Sequence, residues 1–120
     1  MVILILAPGP GVREIVSVEL AGDPSPAAVA EALRAFRGAP DIAALPSAPD
    51  QPIVVLDEPD APQPRRHRDL QNGMATVIGR IRACPVHGIK FVLLSHNTLR
   101  GAAGGALLIA EAALARGLCR

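Results

Sequence analysis

From Ala102 to Leu118 the chain carries only two charged side chains, Glu111 and Arg116. The spacing predicts a helix capped by Asn97 or Thr98, running to about Arg116 and stopped by Gly117. A surface helix of a small domain sets a polar face opposite its apolar stripe. This one is apolar nearly all round, so it must pack against something on two sides. Gly101, Gly104 and Gly105 each weaken its first turns by roughly 1 kcal/mol relative to Ala. Glycines kept at such a cost let a ligand or a neighbouring helix approach the backbone closely.

The rest of the chain alternates strand and helix signals. Val2–Leu6 is a short aliphatic run stopped by Pro8-Gly9-Pro10-Gly11, which reads as strand then turn. Glu14–Leu20 places Val16, Val18 and Leu20 on one face of a second strand. Ser25 and Pro26 open a helix, Val29, Leu33 and Phe36 form its stripe, and Gly38 and Pro40 end it. Residues 38–52 are punctuated by proline and read as irregular. Ile53–Leu56 is a short strand. Residues 58–73, Glu58 to Gly73, form a polar, Pro- and Arg-rich loop long enough to be functional. Met74–Arg82 alternates, with Met74, Thr76, Ile78, Arg80 and Arg82 on one face; Ile89–Ser95 is its antiparallel neighbour across Pro85–Gly88. The expected fold is a single α+β domain over residues 1–120, with a mostly antiparallel sheet and two main helices. Such a length buries a core without staples. With Phe36 and Phe91 the only aromatics, that core is built from Ala, Val, Ile and Leu.

Twelve basic residues against eleven acidic ones leave a net charge of +1, which lacks the basic surplus of a nucleic-acid binder. The apolar start is too short to span a bilayer and has no basic flank, so neither an anchor nor a signal peptide is read there. Cys84 and Cys119 have no metal or redox spacing and are expected as reduced thiols of a cytoplasmic protein. Cys84, before Pro85 at a strand end, reads as inert. His67, His87 and His96 have no metal-ligand spacing, and no metal or cofactor is expected. Gly9-Pro10-Gly11 imitates a dinucleotide fingerprint, but Glu14 replaces its third glycine, so a plain turn is the better reading.

Four groups of residues could hold a ligand. Asn97, Thr98 and Arg100 begin a helix and could bind a carboxylate, or simply cap it beside an exposed arginine. Arg65, Arg66, His67 and Arg68 form a basic cluster that is either a solvated loop or a bidentate clamp for carboxylate or phosphate. Arg80 and Arg82 share a strand face and either pair with acids across an interface or bind an anion. His96 beside Asn97 is the best candidate for proton transfer.

Three blocks of sequence carry a resemblance. They are Pro62-Gln63-Pro64-Arg65 with Arg68-Asp69, then Gly79-Arg80-Ile81-Arg82, then Ser95-His96-Asn97-Thr98 with Arg100-Gly101-Ala102-Ala103-Gly104. Together they resemble the C-terminal domain of the aspartate-semialdehyde dehydrogenase family over about Gly11 to Arg116. N-acetyl-glutamyl-phosphate reductases carry a similar but less close final turn. The resemblance implies a domain that dimerises through its sheet, supplies a catalytic histidine and a substrate-binding arginine near its start, brings its asparagine turn to the nicotinamide of NADP, and packs its last helix on a nucleotide-binding domain. Such an enzyme needs that nucleotide-binding half and a thiol nucleophile upstream, and 120 residues are about a hundred too few for both. The family's Gly-His pair before a Val-x-Val-Glu strand corresponds to Gly11-Val12 before Val16-Ser17-Val18-Glu19, so the acid–base histidine is replaced by Val12.

The expectation is a stand-alone truncated homologue, a homodimerising or ligand-binding module without NADP-dependent activity of its own. A separate protein could dock on its last helix. The alternative is a small repurposed enzyme, acting by proton transfer or cyclisation on a carboxylated metabolite in a vacated cleft lined by Arg65, Arg80, Arg100 and His96.

Overall fold

A computed structural model describes residues 2–6, as backbone, and 11–119. The turn read at residues 8–11 therefore lies outside the described residues, apart from Gly11. Five strands, β1 (Val2–Leu6), β2 (Gly11–Val18), β3 (Ile53–Leu56), β4 (Thr76–Cys84) and β5 (Gly88–His96), form one sheet in the order β1-β2-β5-β4-β3. Every pairing is antiparallel except β3 with β4, which is parallel. The expected single α+β domain with a mostly antiparallel sheet is what forms. β1 makes one edge of the sheet by pairing along the outer side of β2.

The first helix, α1 (Pro26–Ala35), starts as its sequence dictates. The Ser25 hydroxyl accepts from the Ala28 N–H at 3.2 Å, and Pro26 occupies the first helical position. Val29 is buried and Leu33 half-buried, and the helix packs on β3 and β4. Phe36 departs from the expected stripe: the helix ends one residue earlier, Phe36 is extended, and it stays 49% exposed. Arg34, near the end of α1, pairs with Glu31 and with Asp57 just beyond β3. The stretch read as irregular contains one short helix, α2 (Pro40–Ala43), started by Pro40. The long loop after β3 contains a second, α3 (Pro64–His67), and then a turn at Leu70–Gly73 in which Gln71 and Asn72 are left-handed, with φ 53° and 55°.

Cross-strand partners share a face, so register sorts the side chains. Val77 pairs with Leu94, and Leu94 with Arg13; Gly79 pairs with Val92, and Val92 with Ile15. On that face Leu94, Val77 and Val92 are 0%, 1% and 3% exposed, and Ala61 and Pro62 of the long loop close over them. Gly79 is where the loop touches down. A Cβ added there would lie 2.6 Å from the Ala61 carbonyl oxygen.

The strict alternation expected along Met74–Arg82 fails at Arg80. The register slips between Gly79 and Arg82, and Arg80 adopts a left-handed φ of 55°. Two residues, Arg80 and Ile81, then oppose the single Phe91, which is a β-bulge. Arg82 consequently leaves the face of Ile78 and joins that of Lys90. The bulge is held from the loop: Arg80 Nε donates to the Ala61 carbonyl at 3.1 Å and Nη2 to the Asp60 carbonyl at 2.6 Å.

The last helix also differs from expectation. Leu99–Ala103 forms a π-helical turn, closed by the Ala103 N–H donating to the Thr98 carbonyl at 3.0 Å, and only α4 (Gly104–Ala115) is α-helical. Neither Asn97 nor Thr98 caps it through a side chain to the backbone. The glycines explain the wider turn. A Cβ at Gly104 would collide with Met74 Sδ, and one at Gly105 would lie 2.5 Å from the Arg100 carbonyl. The close approach they permit is thus to Met74 and to the π turn itself. At the other end Gly117, with φ 68°, and the Leu118 N–H bond back to Leu114 and Ala113 in the Schellman pattern expected of a glycine stop.

Candidate functional site

The strand-to-helix turn after β5 is organised by His96. Its side chain is only about 10% exposed, and β5 pairs it opposite Gly11. Gly11 is needed for closeness here, since a Cβ would meet Leu94, Pro64 and Arg68 at 3.2 to 3.7 Å. The Leu99 backbone N–H donates to His96 Nδ1 at 3.2 Å, and the Thr98 hydroxyl lies 3.1 Å from the same atom. A backbone N–H can only donate, so Nδ1 is unprotonated and the neutral ring carries its hydrogen on Nε2. Nε2 faces Asp69 Oδ1 at 3.6 Å, beyond hydrogen-bond range. Arg68 completes the group. Its Nε is buried, makes no hydrogen bond, and lies 3.4 Å from Asp69 Oδ2.

This geometry caps the π turn with an imidazole in place of the serine or asparagine a helix start commonly uses. The nitrogen that could take a proton is already holding the turn. His67 repeats the device, its Nδ1 accepting from the Gln63 N–H at 2.9 Å at the start of α3. Both histidines are buried, and both serve the backbone.

The remaining sequence candidates are dispersed. Asn97, Thr98 and Arg100 are exposed on the turn beside His96. Arg65 is exposed on α3 and lines an open cavity of about 640 Å³ with Arg13, Asp60, Gln63, Pro64 and Arg66. Arg66 is paired with Asp60 at 2.8 Å. Arg80 holds the bulge and borders a different cavity, of about 660 Å³, between α1 and the β3–β4 edge. Arg65 and Arg80 thus border separate cavities. Sequence reasoning passed over Asp69 and the buried part of Arg68, although the Arg68-Asp69 pair stood in a block already singled out. Three or more His, Cys, Asp or Glu side chains able to hold a metal do not meet among the described residues.

Val12 lies next to Gly11 on β2. It pairs with Ser95, whereas Gly11 pairs with His96, so Val12 and His96 point to opposite faces of the sheet.

The two faces differ in cover. Along β5, Val92, Leu94 and His96 are buried, while Phe91, Leu93 and Ser95 are only half-buried. Val12 and Glu14 on β2 share the half-buried side. Ile89, Val16 and Ile78 on that side are buried, so the incomplete cover of this central strand is a patch at Phe91, Leu93 and Ser95. The last helix is a second incompletely covered surface. Leu107, Ile109, Leu114 and Leu118 are exposed, although Glu111 accepts from Ser47 and Arg116 pairs with Asp41 to hold the helix to the α2 region.

The described residues thus form a mixed sheet with an incompletely covered patch on one face and an apolar terminal helix. The semialdehyde dehydrogenase dimerisation domain matches residues 10–100, and the chain belongs to that family. Aspartate-semialdehyde dehydrogenase of Methanothermobacter thermautotrophicus is 46% identical over 103 residues, covering 84% of this chain and 30% of that protein. The enzyme of the same name from Cryptococcus neoformans is 49% identical over 106 residues, covering 86% and 29%. The crystal structure of aspartate semialdehyde dehydrogenase with NADP from Candida albicans matches with a TM-score of 0.81 at 41% identity, covering 91% of this chain and 31% of that one. The chain thus spans about 30% of the length of the curated relatives it matches. None of the helices among the described residues is long and apolar enough to cross a membrane.

Proposed function

We propose that this chain is a homodimerising module that performs no NADP-dependent dehydrogenation by itself and works in the cytoplasm. The observation that carries the reading is the half-buried row Phe91, Leu93 and Ser95 on the central strand. Apolar side chains on a central strand are otherwise covered, and a second copy of the same face would cover them through an isologous contact. Membership of a dimerisation-domain family supports dimerisation. Val12 supports the loss of chemistry, because an alkyl group cannot exchange a proton and His96 lies on the other side of the sheet.

The apolar outer side of α4 fits a separate protein partner, and the exposed Asn97, Thr98 and Arg100 fit a carboxylate at the same end. The alternative, a small enzyme using Arg65, Arg80, Arg100 and His96 as one site, is less favoured because Arg65 and Arg80 border separate cavities. Light scattering on the purified chain tests the main reading. A mass twice the 12.4 kDa of the chain is expected at micromolar concentration. A monodisperse monomer there, or turnover of aspartate semialdehyde with NADP by the chain alone, would overturn it.

A further inference from the structure

At the end of the sheet away from the His96 turn, three side chains from separate segments meet. Ser17 is buried on β2, Cys84 ends β4, and His87 lies in the turn to β5. Ser17 Oγ is 3.3 Å from Cys84 Sγ and 3.1 Å from His87 Nδ1. The inert reading of Cys84 could not see Ser17, which is 67 positions away in the chain. The backbone of His87 and Val86 also favours the thiolate. Ser17, Lys90 and Arg82 form one cross-strand row beside it. The acids nearby are Glu19 and Asp23, which line a cleft of about 270 Å³ with Val86 and His87. The Ser17 hydroxyl above all, then the His87 and Val86 backbone and the Lys90 charge, hold the thiol below the ordinary range, at about 7.

We propose that Cys84 is a site of thiol–disulfide exchange with small anionic disulfides, with Ser17 and His87 as its proton relay. The Sγ–H donates to Ser17 Oγ, whose hydrogen points to His87 Nδ1. Moving one proton along each bond leaves a thiolate, a re-formed hydroxyl and an imidazolium. The thiolate attacks one sulfur of the disulfide. A new S–S bond forms, the old one breaks, and the departing thiolate takes the imidazolium proton. Lys90 and Arg82 supply the attraction for an anionic reagent.

The test uses a Cys119→Ser variant, which keeps Cys84 as its single thiol, and the aromatic disulfide 5,5′-dithiobis(2-nitrobenzoate). The rate is expected to reach half its plateau near pH 7. About half the thiol is then ionised at pH 7, against about 3% for an ordinary one. The lower nucleophilicity of an acidic thiolate reduces this gain to roughly threefold over the urea-unfolded chain. Adding Ser17→Ala moves the midpoint upward and removes that gain. A midpoint in the ordinary thiol range, or no reaction before unfolding, overturns the proposal. Should Ser17→Ala fail to fold, limiting iodoacetamide on the unmodified chain at pH 7 decides. Labelling of Cys84 before the exposed Cys119 supports the assignment, and the reverse order overturns it.

Discussion

Replacing Gly79 with alanine puts a methyl group where the long loop meets the sheet. The added Cβ would sit 2.6 Å from the Ala61 carbonyl oxygen, 3.0 Å from its carbon and 3.2 Å from Pro62 Cδ. Backbone, not a flexible side-chain tip, must give way, and Ala61 is fully buried. Overpacking of this kind costs about 1–3 kcal/mol. Lifting the loop also stretches the two hydrogen bonds from Arg80 to the Asp60 and Ala61 carbonyls, each worth about 1 kcal/mol or more because the donor is charged. Together the loss is about 3 kcal/mol, which at a slope near 2 kcal/mol/M lowers the urea midpoint by roughly 1.5 M. Gly101→Ala is the control. Its Cβ would meet only the His96 carbonyl at 3.7 Å, an ordinary contact, so the substitution should be neutral or stabilise by less than about 1 kcal/mol. Urea unfolding followed by circular dichroism compares the two. A midpoint for Gly79→Ala within 0.2 M of the parent would refute the claim that the loop is pressed onto β4.

Three further outcomes follow from the same geometry. His96→Ala leaves the Leu99 N–H without its acceptor and should cost about 1–3 kcal/mol in urea unfolding; a change under 0.5 kcal/mol would remove its capping role. Ser25→Ala removes the cap of α1 and should cost about 1 kcal/mol by thermal unfolding, with Ser25→Asp restoring most of it. Cys84 gives a pH dependence whose sign is fixed. The folded thiol, at about 7, binds fewer protons than an unfolded one. Its contribution is therefore absent below pH 7, grows from about pH 7 to 8.5, and is complete above. The stability difference between the parent and Cys84→Ser should widen over that window, and a flat difference would contradict it.

Local signals carried most of the fold. Ser25-Pro26 set the start of α1, Gly117 set the stop of α4, and alternation placed β4 and β5 as antiparallel neighbours across Pro85–Gly88. What pattern could not carry was long-range. The bulge at Arg80 exists because its guanidinium reaches carbonyls 19 and 20 positions away, a force that binary alternation does not encode. The close packing of Met74 against Gly104, beside the π turn, is again a contact across the fold. The site was legible by location more than by role. The Ser95–Gly104 block is the strand-to-helix turn, but Nδ1 of His96 is spent on it, and Arg80 serves the loop. Ser17 carried no signal at all, since only strand pairing brings it to Cys84.

The sheet face is the central claim, and two substitutions separate it from the other open surface. Leu93→Arg places a charge on the half-buried row of β5, and Leu107→Arg places one on the outer side of α4. Light scattering on both at one micromolar-range concentration is the direct measurement. Leu93→Arg is expected to give the 12.4 kDa monomer while Leu107→Arg keeps the doubled mass. A Leu93→Arg dimer, or a monomer only with Leu107→Arg, would contradict the account.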